Sequence, residues 1–503
     1  MNTNHDFALQ RIAKEYEVQV LYSDSSSNSS AKYIVLGKAI KSCIFKKELP
    51  DNWLLPPTRL LSSKLTLSRT TVLKAYELLL LEKLIISRAG SGNKVNFSET
   101  EESKISFKEK EVIYSNYPQI SEKGQSYLNN INLINRMPGN DVAFRPGLPP
   151  LDVFPAHQWK KLLNAYWRHV KSSGLSYSQS TGLLELKTSI SNYLNVSRNI
   201  KCKADQIVIV SGSLQSLYLI ANTLINKGDA VVLENPVFPN VHSVFKSSEA
   251  HLIPAGLDDK GINLSQLQIA KDQHPKLIHV TPSNQYPTGV RMSLSRRQEL
   301  LHWASTHRAL IIENDYEHEI ANVAQSLPSI FSLDNESRTI YMGTFNRLLH
   351  PSIRLGYMIV PRYLISAVEA LQEHSHRFIS PSIQVVMNQF IERNYLYQHL
   401  KKSIAVARER HDLFVNEFKQ HCTSMYIESN SFSSFHVVAL FKEKVSLDHE
   451  KEVIKRLNDL HISAFSLSKC YITDHKQPGL ILGYSALREA VIKRKIKIMS
   501  QVI

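Results

Sequence analysis

The chain has 503 residues, 43% of them hydrophobic and 21% charged, with a formal net charge of +15 at pH 7. That is enough for two or three domains with a large core, and the composition is that of an ordinary soluble globular protein. No apolar run approaches the ~18 residues a membrane span needs, and the first residues, MNTNHDFALQRIAKEYEVQV, lack the apolar core of a signal peptide, so a cytoplasmic protein is expected.

The excess of positive charge points to a polyanionic partner. Cys43, Cys202, Cys422 and Cys470 are scattered without metal-ligand spacing, and His374 and His376 have no third ligand close in sequence. Neither a disulfide framework nor a metal site is expected.

Residues 1–30 end in SDSSSNSSA and read as a flexible lead-in. Residues 31–97 form a compact basic segment with 12 Lys/Arg against 4 Asp/Glu, which places about half of the net charge there. Inside it, TRLLSSKL reads as a short helix and TL as a turn. Ser68 is a good N-cap, because its hydroxyl can accept from the free N–H groups of the following turn. The next helix is predicted from Arg69 to about Lys83. Val72, Ala75, Tyr76 and Leu79 recur on one face at helical spacing, and Arg69, Thr70, Thr71 and Lys74 lie opposite. LIISRAGSGNKVNF then reads as a β-hairpin with a Gly-Ser-Gly tip. Two short helices around a tight turn, with donors at the start of the second, are what a major groove requires.

The run LPPTRLLSSKLTLSRTTVLKAYELLLLEKLI, followed by GSG, resembles the winged helix-turn-helix of GntR-type bacterial regulators. The resemblance implies that Arg59, Ser68, Arg69, Thr70 and Thr71 contact double-stranded DNA, with Lys74 on the same charged face and Gly92 at the wing. Two stretches depart from the family pattern. Asp51-Asn52 stands where Pro-Gly is usual, and Leu54-Leu55 where Arg-Leu is usual.

A charged stretch beginning SETEESKISFKEKEV opens a linker, placed at 98–140. Beyond it short β-rich runs alternate with amphipathic helices. The runs are QIVIV, AVVLE, LIHVTP, ALIIEND, TIYMGTF and LGYMIVP. This alternation predicts an α/β large domain over 141–385, with a mostly parallel sheet covered by helices on both faces. A smaller α/β C-terminal domain is placed at 386–503.

The strand–turn–helix QIVIVSGSLQSLYLI offers an anion site at the helix start. ENPVFPN, TPSNQYPTG, IIENDYEHE and GTFNRLLHPSIRLGY follow in order at strand C-terminal ends, where open α/β sheets bind ligands. Together these segments resemble the fold type I aminotransferase domain of MocR-type regulators, which fuse a GntR-like reader to an aminotransferase-like body. The resemblance implies a body that binds pyridoxal phosphate, senses a small amine or vitamin, and dimerises head-to-tail. It also implies a pocket built from Ser211, Gly212, Ser213, Phe238, Asn284, Asn314, Tyr316, Asn346, Arg347 and Arg354.

Several of those positions depart from the family. Arg347 occupies the place of the Schiff-base lysine, and a guanidinium, with a pKa above ~12, offers no nucleophilic amine. No lysine lies between Lys276 and Lys401. Asn314 replaces the aspartate that faces the pyridine nitrogen, and Asp315 is directed to the opposite face of the strand. Asn346 replaces a serine, Phe238 a tyrosine, and GLILGY (479–484) has no arginine for a substrate carboxylate. Arg354 is retained. The expectation is a dimeric DNA-binding regulator whose body is not an enzyme and holds no covalent cofactor. Its pocket, with Arg347, Arg354 and the Gly212 helix start as a basic lining, would take a small anionic or aromatic effector. The alternatives are a regulator or aminotransferase that holds pyridoxal phosphate non-covalently, and a body that serves only for assembly.

Overall fold

The computed structural model describes residues 3–24, 31–88, 92–97, 118–134, 143–270, 273–320, 327–429 and 431–503. The chain divides into two units, Met1–Pro118 and Gln119–Ile503.

Four helices and a hairpin make the first unit: α1 (Thr3–Asp24), α2 (Lys32–Phe45), α3 (Thr58–Leu65), α4 (Arg69–Leu81), β1 (Ile85–Arg88) and β2 (Gly92–Val95). Thr66, in the left-handed region at φ 54°, ends α3 and turns the chain into α4. Ser68 then caps α4, its Oγ accepting from the Thr71 N–H at 3.1 Å. The inward stripe of α4, Val72, Ala75, Tyr76 and Leu79, joins Leu36, Ile40, Leu61, Ile85 and Val95 in one core. The Tyr76 hydroxyl donates to the Pro56 carbonyl at 2.7 Å and fixes the loop that leads into α3. The strands pair antiparallel, and Leu55 N–H donates to Asn93 O, so the Leu54-Leu55 departure ties that same loop to the wing.

The lead-in expected over 1–30 is instead helical over Thr3–Asp24. Ala8, Leu9 and Ile12 are buried in the core of this unit. Glu15 accepts from Lys46 at 2.8 Å, which ties α1 to the end of α2. Apolar residues spaced by three and four supply the physical reason, and the Ser/Asn run at 25–30 lies outside the described residues. Most of the Gly-Ser-Gly tip, residues 89–91, lies outside them too.

The body opens with α5 (Glu122–Asn130), α6 (Ala156–His169) and α7 (Leu184–Arg198). Next come β3 (Ile207–Val210), α8 (Ser213–Leu224), β4 (Ala230–Glu234), α9 (Pro239–Ser247) and β5 (His251–Ala255). A short ribbon, β6 (Leu257–Asp258) and β7 (Gly261–Ile262), precedes β8 (Leu277–Val280), α10 (Leu294–His307) and β9 (Leu310–Asn314). After α11 (Ile330–Leu333), the strands β10 (Thr339–Thr344) and β11 (Gly356–Ile359) complete a seven-stranded sheet of order β3-β11-β10-β9-β8-β4-β5. Only β11 runs against its neighbours in this sheet. Strands β3, β4, β8 and β9 are almost wholly buried, as near-continuous apolar runs require when helices cover both faces.

Three helices follow: α12 (Ile365–Ser375), α13 (Pro381–Glu392) and α14 (Tyr395–His421). The chain closes with β12 (Met425–Ile427), β13 (His436–Phe441), α15 (Leu447–Asp459), β14 (Phe465–Ser466), β15 (Gly479–Gly483) and α16 (Glu489–Met499), whose strands form an antiparallel sheet β12-β13-β15-β14.

Two expected boundaries move. The linker placed at 98–140 lies partly outside the described residues, but α5 belongs to the body, where the Ser243 hydroxyl donates to Asn130 O at 3.2 Å. The division placed at 385/386 would cut α13, whereas the two cores meet along α14. Leu396 and Leu400 pack with α13 and the large sheet, whereas Phe414 and Phe418 pack into the C-terminal core. That core also takes in Ala143 and Phe144, held by Ala143 N–H to His461 O at 3.1 Å.

Candidate functional site

In the first unit the candidate site is the outward face of α4. Arg69, Thr70, Leu73, Lys74 and Glu77 are exposed there, and Arg59 is exposed on α3. Neither Arg59 nor Arg69 has an ion pair among the described residues. Ser68 and Thr71 are joined to each other, Oγ to Oγ1 at 2.8 Å, so Thr71 serves the cap as well as the surface. Lys74 leans toward α2, its ammonium 5.7 Å from the Tyr33 ring centroid. Gly92 begins the second wing strand at φ +78°, and a Cβ there would stand 3.3 Å from Leu54. The face presents the exposed guanidinium groups of Arg59 and Arg69 and the exposed Thr70 around a helix start.

In the body a cavity of about 280 Å³ opens at the C-terminal ends of the parallel strands. Gly212, Ser213, Asn346 and Arg354 line one end of it, and Phe238, Asn314, Tyr316 and Arg347 the remainder. Ser211 stands just behind, its hydroxyl accepting from Arg354 Nη2 at 3.3 Å. Gly212, at φ +138°, lets the backbone turn from β3 into α8, and a Cβ there would lie 2.5 Å from the Asn346 amide nitrogen. Asn346 clips the loop in place. Its Nδ2 donates to Ser211 O at 3.0 Å and its Oδ1 accepts from Leu355 N–H at 2.8 Å. The free N–H groups at the start of α8 and the Arg354 guanidinium together make a cradle for an anion.

Arg347 lines the cavity with Arg354, but its guanidinium has a carboxylate partner inside the fold. Its guanidinium lies 5.2 Å from the Tyr316 ring centroid and against Gly147, where a Cβ would fall 2.1 Å from Nη1. Nη1 stands 3.3 Å from Oε1 of Glu317, a carboxylate with no solvent exposure. Glu317 also accepts from Asn284 Nδ2 at 3.0 Å and from the Ser434 hydroxyl at 2.8 Å. Burial pushes the Glu317 carboxyl above its ordinary value, and Arg347 and the two hydrogen bonds pull it back. The positive charge of Arg347 is therefore matched inside the protein. Glu317 was not anticipated from the sequence, because its pairing with a residue thirty positions away has no local signal.

Asn284 was expected in the pocket wall. It is not among the lining residues; its side-chain Nδ2 is given to Glu317 and its backbone carbonyl accepts from the Tyr316 hydroxyl at 3.0 Å. Asn314 does line the cavity, with its Nδ2 3.4 Å from His279 Nε2. Burial drags the His279 pKa down to about 3, so the imidazole is neutral and can accept. Asp315 is unavailable to the cavity. It is buried against Arg198 at 2.7 Å and the Tyr341 hydroxyl at 2.9 Å, and its pKa falls to about 2. Sequence reasoning also did not single out Arg145, Thr281 and Tyr286, which line the cavity. The Thr281 hydroxyl donates to Glu234 at 2.7 Å, and burial raises that carboxyl to about 7.

Pyridoxal phosphate is the group this fold implies. The cradle at Gly212, Ser213 and Arg354 fits a phosphate monoester. The rest does not fit covalent attachment, because no lysine lines the cavity and its Arg347 guanidinium is paired to Glu317. Asn314 brings no charge to balance a protonated ring nitrogen. Among the described residues no group of His, Cys, Asp and Glu could hold a metal ion, and no helix is long and apolar enough to cross a membrane.

Residues 149–479 match the family described as aminotransferase class I and II. The chain is 29% identical to the probable rhizopine catabolism regulatory protein MocR of Rhizobium meliloti, over 92% of this chain and 91% of that one. It is 27% identical to the uncharacterized HTH-type transcriptional regulator YdeL of Bacillus subtilis, over 92% and 95% of the two chains. An archaeal alanine:glyoxylate aminotransferase superposes on 77% of this chain and 96% of its own with a TM-score of 0.65. Its identity is 22%, so that likeness concerns the fold alone.

Proposed function

The chain belongs to the aminotransferase class I and II family, joined to a GntR-like N-terminal unit in the MocR-type arrangement, and from that premise we propose that it is a DNA-binding transcription regulator whose body has lost aldimine chemistry. The observation that carries the second part is the Arg347–Glu317 pair in a cavity without a lysine. A Schiff base needs an amine that can shed a proton, and none is in reach. The first part rests on Arg59 and Arg69, exposed and without an ion pair among the described residues, beside the capped start of α4.

In this reading Arg59, Arg69, Lys74 and the wing at Gly92 contact phosphates, which makes affinity fall steeply with salt. Ser68, Thr70 and Thr71 position the first turn of α4 so that it meets base edges. The protein acts in the cytoplasm as a head-to-tail dimer, and the dimer sets the spacing of the two half-sites. The body serves as a sensor. The retained cradle of Gly212, Ser213 and Arg354 favours a small anionic, ring-bearing effector held without a covalent bond, the ring lying by Phe238 and Tyr316. Asn314 suits an uncharged ring better than a pyridinium, since an amide cannot neutralise a cation.

The test uses the purified full-length chain. Mixed with pyridoxal phosphate, it is expected to show no aldimine band near ~420 nm that borohydride fixes, and mass measurement should find no adduct. A fixed adduct on any lysine of the body would sink the non-catalytic reading. Affinity for duplex DNA, followed by fluorescence anisotropy, should fall linearly with salt on logarithmic axes. A flat response would sink the DNA-binding reading.

A further inference from the structure

The outward face of α4 carries, one turn after Arg69, an apolar side chain that phosphate chemistry does not explain. Leu73 lies four residues after Arg69 and three after Thr70, which places the three on one ridge of the helix. It is 46% exposed and takes no part in the core of the unit. Its neighbour Lys74 is drawn aside toward the Tyr33 ring. What remains free on the second turn is an isobutyl group, beside the guanidinium of Arg69 and the hydroxyl of Thr70. Leucine has neither charge nor donor to offer a phosphate. The major groove has one apolar feature that such a group can cover, the C5-methyl of thymine.

We infer that Leu73 is a specificity-determining residue that packs on a thymine methyl and selects thymine at one position of each half-site. The selection has two parts. Contact removes the methyl and the isobutyl group from water together. At any other base the same leucine strips water from a polar edge atom and offers no partner in return, which penalises that base. The inference rests on the DNA-binding reading and sharpens it, since Arg69 and Thr70 alone do not require a methyl.

The experiment starts from the full-length chain and a randomised duplex pool, from which bound sequences are recovered. Each thymine of the recovered site is then replaced by deoxyuridine, which removes the methyl and nothing else. One thymine per half-site should weaken binding by about fourfold when replaced, the worth of one buried methyl-sized group. The variant Leu73→Ala should bind the thymine and uracil duplexes equally well and keep the salt dependence of the parent. Alanine is at least as good a helix former and the site is exposed, so α4 is expected to hold, and a circular dichroism melt checks this. Uniform indifference to uracil, or a thymine preference that survives in Leu73→Ala, overturns the role of Leu73 and leaves the regulator reading standing. Failure to recover any preferred sequence overturns both.

Discussion

Arg69 in the N-terminal unit and Arg347 in the body carry the same guanidinium into opposite surroundings. Arg69 follows a capped helix start, exposed, with no carboxylate partner among the described residues. Arg347 stacks over Tyr316 and meets a carboxylate that water does not reach. A guanidinium keeps its charge in both places. What differs is whether the countercharge is supplied from within the fold or must come from outside. A cation left open on a surface is a binding group, whereas one matched by a buried acid holds two segments of the fold together. The presence of an arginine in a motif therefore says little about binding until its partner is known.

The sharpest way to break this contrast is at Arg347. Removing it leaves Glu317 buried without its cation, so Arg347→Ala should lower the stability of the body by about 3 kcal/mol in urea unfolding. Arg347→Lys keeps a positive charge beside the carboxylate and should recover most of that loss. A neutral effect of the alanine variant would mean that the pair is incidental.

Next comes Glu234, a buried carboxyl served by Thr281 and without an ion pair among the described residues. Its pKa is raised from 4.5 to about 7, so the native chain holds a proton more tightly than the unfolded one. The associated stability is fully present below about pH 4.5 and is lost as pH rises through 7. Glu234→Gln should remove roughly 2–3 kcal/mol of that decline, seen as a flatter unfolding free energy between pH 5 and 8 than the parent shows. Equal slopes in the two proteins would contradict the assignment.

The smallest effect in energy is at Arg69. Arg69→Ala should weaken specific DNA binding by roughly 10- to 100-fold and lower the salt slope by about one, with the melting curve unchanged. A drop in stability instead would put Arg69 in the same class as Arg347 and erase the contrast.

Much of the fold could be read from local pattern. Ser68 followed by apolar residues at helical spacing defined α4 closely, because capping and periodicity are properties of a dozen consecutive residues. The strands of the large sheet stood out as short apolar runs, and GTFNRLLHPSIRLGY visibly contains no lysine. Other features depend on approach in space. Glu317 and Arg347 are thirty residues apart in sequence, and nothing local announces that one neutralises the other. Asn284 fits the family's motif but is turned away, because Glu317 claims its amide. Helix α1 was hidden by the polar run after it, although Ala8, Leu9 and Ile12 carried the helical spacing throughout.

Helix α14 has a consequence for how the body behaves as a mechanical object. It is 27 residues long, a rod of roughly 40 Å, and its two ends are anchored in different cores. A rod clamped in this way transmits a tilt at one end to the other instead of absorbing it in a joint. The same two cores are also bridged near the cavity, where Ser434, two residues before β13, donates to Glu317.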